Sequence, residues 1–194
     1  MKPTKLFTIA LIAICIGVTT TGCRSRQTVD QTLNPFRGNT HQPPCFMLSC
    51  AQYFAATGIA SGSRHQVGTT QRVALTNAQD MIRQMMEHAY EGFVDSYFES
   101  IGTGAGTDIE AQTRAVGRQT IMQVVGVTDP ICLQFSDVDD RGNVTVYIGV
   151  RIPRQRVATA IADNLSRDER AEIRERAAEM REEMNEHFKN IEGE

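Results

Sequence analysis

The chain has 194 residues, 41% of them hydrophobic and 22% charged, with a formal net charge of −3 and no tryptophan. That length supports one domain with its own core plus appendages. An acidic balance disfavours a nucleic-acid partner, whose phosphates call for clustered Lys and Arg.

Residues 1–22 have the layout of a secretory signal. Lys2 and Lys5 form a basic start, Leu6 to Val18 a mostly apolar run, and Thr19-Thr20-Thr21-Gly22 a small, extended approach to Cys23. The apolar run falls well below the ~20 residues a membrane-spanning helix needs. No Ala-x-Ala-like cleavage site follows, and the small residues lead straight into Gly-Cys. This order resembles the bacterial lipobox Leu-(Ala/Ser)-(Gly/Ala)-Cys, with Thr20 in place of Leu and Thr21 in place of Ala or Ser. The resemblance implies lipidation at Cys23, with a thioether-linked diacylglycerol and an acylated amino group. Several acyl chains hold a protein stably on a membrane where one does so only marginally. Arg24 is not the Asp that commonly retains such lipoproteins at the inner membrane, which by analogy favours the outer membrane.

Loss of residues 1–22 removes two basic and no acidic side chains, leaving 18 against 23 and a net charge of −5. Residues 23–44 are polar and rich in proline, and they read as a flexible tether from Cys23.

The domain proper is expected over residues 45–165. "AQYFAATGIASGS" suits a strand over about 52–60. In the next segment Val73, Ala74, Ala78, Met81, Ile82, Met85, Ala89, Phe93 and Tyr97 recur at three- and four-residue steps, the mark of a long core helix. After a Gly/Thr-rich loop, with Asp108 as expected N-cap, Ile109, Ala115, Val116, Ile121, Val124 and Val125 form one side of a second helix. The period then changes to two. Ile131, Leu133 and Phe135 face Val144, Val146, Ile148 and Val150 across a polar turn, a hairpin pattern. "PRQRVATAIADNL" is a short amphipathic helix. Residues 166–194 read as a separate, highly charged helix, opened by a capping box of Ser166 and Glu169. Its narrow stripe of Ile173, Ala177, Met180, Met184 and Phe188 either lies on the domain or makes an oligomer seam, with the first weighted more heavily.

The fold class that follows is α+β, an open sandwich of a small, about three-stranded antiparallel sheet on the long helix. The lipobox, Pro44-Cys45, "YFAATGIASG", "ALTNAQDMIRQM", Ile131-Cys132 and "VTVYIGVRI" together resemble the twenty-kilodalton bacterial lipoprotein family (Lpp-twenty type), the group found in anaerobic Gram-negative gut bacteria. Over residues 45–165 the resemblance is one of small, apolar and cysteine positions and carries no catalytic signature. It implies an outer-membrane or surface lipoprotein without established enzymatic activity.

With Cys15 removed and Cys23 acylated, three cysteines remain, an odd number that leaves one unpaired or intermolecular. A bridge between Cys45 and Cys132 is expected, because Cys45 closes the tether before the first strand, Cys132 lies in a hairpin strand, and both match the family-like positions. Cys45–Cys50 is the competing pairing.

Other motifs carry less. In "DVDDRGN", Arg141 stands at the third ligand position of a calcium loop and Ile148 where the bidentate Glu belongs, so a hairpin turn accounts for its acids better. His41, His65, His88 and His187 lack zinc-ligand spacing. Glu87, His88 and Glu91 sit on the polar side of the long helix. No Ser lies in G-x-S-x-G or S-x-x-K. Arg151, Arg154 and Arg156 form a basic cluster suited to an anionic envelope polymer, or simply to a solvated strand end. The expectation is therefore a non-enzymatic envelope lipoprotein with no cofactor and no metal. Its partners would be membrane lipid through Cys23 and an envelope protein or cell-wall partner. The alternative is an envelope enzyme or small-ligand carrier with a pocket between the long helix and the sheet.

Overall fold

The structure, a computed structural model, describes residues 45–102 and 107–191. Three strands, β1 (Tyr53–Ser63), β2 (Asp129–Phe135) and β3 (Asn143–Pro153), form an antiparallel sheet in the order β1-β3-β2. Among the described residues four α-helices accompany it, α1 (Val67–Ser100), α2 (Thr107–Val125), α3 (Arg154–Leu165) and α4 (Ala171–Asn190). The protein is α+β, with the long helix packed on a three-stranded sheet.

The alternation of β3 explains its central place. Val144, Val146, Ile148, Val150 and Ile152 are all buried on one face, aligned across β1 with Gly62, Ala60, Gly58, Ala56 and Phe54. The small residues on β1 let α1 approach closely. At Gly58 the two backbones nearly touch, and a Cβ there would land on the Ala74 carbonyl and the Ala78 amide. β1 runs three residues past its expected end because Ser61 and Ser63 continue the ladder opposite Thr145 and Asn143, with the Ser61 and Thr145 hydroxyls 2.7 Å apart.

Helix α1 has 34 residues and two environments. Its first half lies on β1 and β3 through Ala74, Ala78 and Ile82. Its second half carries Tyr90, Phe93, Val94, Tyr97 and Phe98 into the packing of α2 and α4. Val73 and Met81, expected on the buried stripe, are 47% and 49% exposed. The stripe turns as the helix leaves the sheet for the other helices, and these two residues fall outside both contacts. Tyr90 lies against Gly117 of α2 and donates its hydroxyl to the Thr113 carbonyl at 2.7 Å. On the rim, Arg114 of α2 binds Glu91 and Asp95 of α1 and Glu110 of its own helix.

The C-terminal helix is part of the core. Ile173, Ala177, Met180, Met184 and Phe188 are at most 3% exposed. Phe188 meets Phe54 of β1 edge-to-face at 5.6 Å between ring centroids. Arg154, itself 3% exposed, lies over the same Phe54 ring and donates to the carbonyls of Phe188 and Ile191. Those carbonyls belong to the end of α4, where the helix dipole is negative, so a buried cation without a carboxylate is stabilised there. Burial nevertheless lowers its pKa, and its Nε has no partner among the described residues.

The expected boundary at residue 166 is thereby corrected. Ser166 ends α3, its hydroxyl donating to the Asp163 carbonyl, while α4 begins five residues later after Arg170. Asp168, not Ser166, holds the turn between the helices, accepting from the Arg170 amide at 2.9 Å. Asp108 likewise lies inside the first turn of α2 and does not cap it.

Candidate functional site

Two kinds of surface stand out, a strapped sheet face and shallow hollows on the helices. The strap is residues 45–50, which cross the sheet face opposite α1. Cys45 is disulfide-bonded to Cys132 of β2, with Cα atoms 5.6 Å apart. Thr57 of β1 donates its hydroxyl to the Cys45 carbonyl at 2.5 Å and accepts from the Met47 amide at 2.9 Å. Ser49 then pairs with both the amide and the carbonyl of Ala55. Thr57, Gly149 and Cys132 stand in one row across the three strands. The strap runs over this row at Gly149, where a Cβ would press on Met47, the Cys45 carbonyl and Cys132. Cys45 holds a left-handed φ of 61°, uncommon for a residue with a Cβ and fixed here by the bond and by Thr57. Cys50 is also disulfide-bonded, and the Cys45–Cys50 pairing does not occur.

The strap's geometry also closes part of one edge of the sheet. Antiparallel residues point their backbone groups alternately to the two sides of a strand. Gln52 and Arg64, at the two ends of β1, both bond toward β3, so the odd-numbered residues of β1 face its free edge. Some of those groups are engaged: Tyr53 by Cys50, Ala55 by Ser49, and the Ile59 carbonyl by Asn77 at 2.9 Å.

Between α1 and α4 lies an open groove of about 350 Å³, floored by Phe93 and Tyr97 and rimmed by Ser96, Glu182, Glu183, Glu186 and His187. Burial lowers the pKa of His187, which packs on Phe93 at 6.0 Å. A second hollow, about 450 Å³, lies along α3 between Pro153, Gln155, Arg156, Thr159, Ala160 and Asp163. Both are on helical surfaces. Where the sequence left room for a pocket, between α1 and the sheet, Ala56, Gly58, Val146 and Ile148 meet Ala74, Ala78 and Ile82 in close packing.

The sequence motifs fall as follows. Asp137–Asn143 is the β2–β3 turn: the Asp139 carboxylate accepts the amides of Asn143 and Arg141 at 2.7 and 2.9 Å, and Gly142 takes a φ of 76°. Those amides, Asn143 first, hold the Asp139 pKa below its usual value. Glu87 pairs with Arg83 and Glu91 with Arg114 and Arg118, while His88 is exposed, so the three form no common site. The basic cluster is dispersed: Arg154 is internal, half-buried Arg151 stacks over Tyr53 at 4.6 Å, and Arg156 is exposed. Among the described residues no group of His, Cys, Asp and Glu is arranged to hold a metal ion. Cys23, the expected lipidation site, and His41 lie outside the described residues.

The sequence places Arg154 in a surface basic cluster, whereas it is buried and shares the spacing of Val157, Ala158, Ile161 and Leu165. An arginine on an apolar stripe was the available signal. No family model, curated protein or solved structure matches this chain.

Proposed function

We propose that this chain is a membrane-anchored envelope lipoprotein whose domain has a non-catalytic binding or scaffolding role, in the manner of the twenty-kilodalton lipoproteins it resembles. The observation that carries this reading is the order of basic start, short apolar run and Thr-Gly-Cys that ends at Cys23. The Cys45–Cys132 bond supports it, since disulfides persist in oxidising compartments. No helix of the described residues is long and apolar enough to cross a membrane, so in this reading the acyl chains on Cys23 hold the domain to the bilayer, with the outer membrane as destination. The filled interface between α1 and the sheet weighs against the alternative of a ligand carrier or enzyme built around a pocket there.

The experiment is Cys23→Ser in a host that processes lipoproteins. Detergent-phase partitioning should be lost and a slower-migrating precursor should accumulate. Normal maturation and membrane retention of the variant would overturn the reading. The disulfide state of Cys50 gives an independent check, because a thioether to lipid and a Cys23–Cys50 bridge need the same sulfur. Recovery of a Cys23–Cys50 peptide from the membrane fraction would also refute acylation.

A further inference from the structure

The apolar face of the sheet runs on past its helical cover. Leu133 stands opposite Ile148 and Phe135 opposite Val146, so both continue the rows that Gly58 and Ala60 begin on β1. Helix α1 packs on β1 and β3 and stops short of β2. Ile148 and Val146 are accordingly 3% and 0% exposed, whereas Leu133 and Phe135 are 44% and 47% exposed. Ile131 at the bulge and Val138 just beyond the strand are open as well. Large apolar side chains gathered in this way, and not scattered singly, mark an interaction surface. The Ser136 amide bonds to the Thr145 carbonyl of β3, so by alternation Cys132 and Gln134 face β3, while Leu133 and Phe135 turn their N–H and C=O groups outward. Among the described residues nothing pairs with those groups. Both outer strands of the sheet have open backbone groups, and the side chains tell them apart: of the large apolar residues on β1, only Ile59 is exposed.

The charges at the two ends of β2 choose among occupants. Asp129 precedes the apolar strip, Asp137 and Asp140 follow it, all three are exposed, and none forms an ion pair among the described residues. Arg151, across from Asp129, is stacked on Tyr53, and the turn sets Asp137, Asp139 and Asp140 against Arg141 alone. A second copy pairing through the same strand meets its own acids in either direction: Asp129 faces Asp137 when the strands run antiparallel about Leu133, and each faces itself when they run parallel. The same acids repel an anionic lipid surface, and neither lipid nor a helix can take the outward amides and carbonyls. A strand can. We propose that β2 is the docking strand for an extended segment of a different protein, with apolar and polar residues in alternation and Lys or Arg at both ends. Its apolar residues lie beside Leu133 and Phe135, its backbone bonds to the outward groups of those two residues, and its cations meet Asp129 at one end and Asp137 with Asp140 at the other. The proposal rests on the reading of the domain as a binding or scaffolding module and not on acylation of Cys23.

Residue-resolved amide exchange by NMR on the full, disulfide-intact chain tests this with two probes, the end-blocked peptides Lys-Thr-Val-Thr-Val-Thr-Lys and Glu-Thr-Val-Thr-Val-Thr-Glu. At about 1 mM the lysine-ended peptide should slow the Leu133 and Phe135 amides ~10-fold, the protection that a Kd on the order of 0.1 mM gives. The amides of Cys132 and Gln134, which face β3, should stay slow throughout and so report that the sheet is intact. The glutamate-ended peptide should change none of the four. Phe135→Ser should reduce the protection at Leu133 at least ~3-fold with Gln134 still slow. No slowing by the lysine-ended peptide, or equal slowing by both peptides, would overturn the proposal. Slow exchange at Leu133 and Phe135 before any peptide is added would overturn it too, the strand then being covered by a second copy if the slowing grows with protein concentration and by the chain itself if it does not. The readout does not involve the lipid, so failure here leaves the lipoprotein reading standing, and failure of that reading leaves this one standing.

Discussion

Truncating Phe188 tests whether the last helix belongs to the core. Phe188 is 0% exposed, and its ring abuts Phe54 at 5.6 Å with an interplanar angle of 73°. Phe→Ala in a packed interior costs about 3–5 kcal/mol, the larger values arising where the walls do not collapse into the void. Here the walls are Phe54, fixed in a strand, and Arg154, held by two carbonyls of α4. We therefore expect about 4 kcal/mol for Phe188→Ala, a large share of the 5–15 kcal/mol total of an ordinary domain. At ~2–4 °C per kcal/mol, Tm should fall by roughly 8–16 °C. Urea unfolding followed by far-ultraviolet circular dichroism measures the loss. Met122→Ala, at a position 67% exposed, is the control and should change stability by no more than ~0.5 kcal/mol. A loss below ~1 kcal/mol at Phe188, or one equal to the control, would refute the placement of α4. Consistent with it, deletion of residues 167–194 should abolish cooperative melting, although a reading of the charged sequence alone expects the remainder to stay folded.

Gly58→Ala should cost more than the ~1–3 kcal/mol of ordinary overpacking, because the new Cβ meets α1 backbone and not a side chain that can turn away; thermal melting within 1 kcal/mol of wild type would contradict this. Cys132→Ala opens a bridge with a sequence separation of 87, and the chain-entropy argument expects a loss of roughly 4–5 kcal/mol together with faster proteolysis of the strap; a non-reducing peptide map without a Cys45–Cys132 peptide would remove the basis for it. His187 has its pKa lowered by burial against Phe93 and Phe188, so the unfolded chain binds its proton more readily than the folded one. Stability should fall as pH drops through ~6.5, the unfolded value, and level off below the folded one. Glu183 and Glu186 border the same groove, so the difference between wild type and His187→Gln is the readout; identical pH profiles above pH 5 would sink the assignment.

The sheet was legible because Val144, Val146, Ile148 and Val150 alternate without interruption and Asp139 and Gly142 mark the turn. The long helix was legible by its period, but its rotation was not: Val73 and Met81 look as apolar as Ala74 and Ile82, and only the turn of the buried stripe along α1 separates them. The stripe of α4 was visible as a stripe, whereas its address was not, since a narrow apolar seam in a charged helix reads the same on a domain surface and in a core that closes around it. The expected capping box failed for a local reason, the Ser166 hydroxyl being taken by the preceding helix. The dispersal of Arg151, Arg154 and Arg156 shows the limit of counting charges, because adjacent positions in sequence project from the end of a strand and the start of a helix to different places.

The contact between Phe54 and Phe188 also sets an order of events. It joins the first strand to the last helix across 134 residues, from position 54 to position 188, and loop-closure entropy makes such long-range contacts late ones. A nascent chain that has completed β1, α1 and even the β2–β3 hairpin still leaves one side of Phe54 uncovered until α4 arrives. Until α4 is made, the molecule remains an open intermediate with apolar surface accessible to chaperones and proteases. Premature termination anywhere upstream of Phe188 should therefore yield fragments that are cleared rather than a shortened working domain.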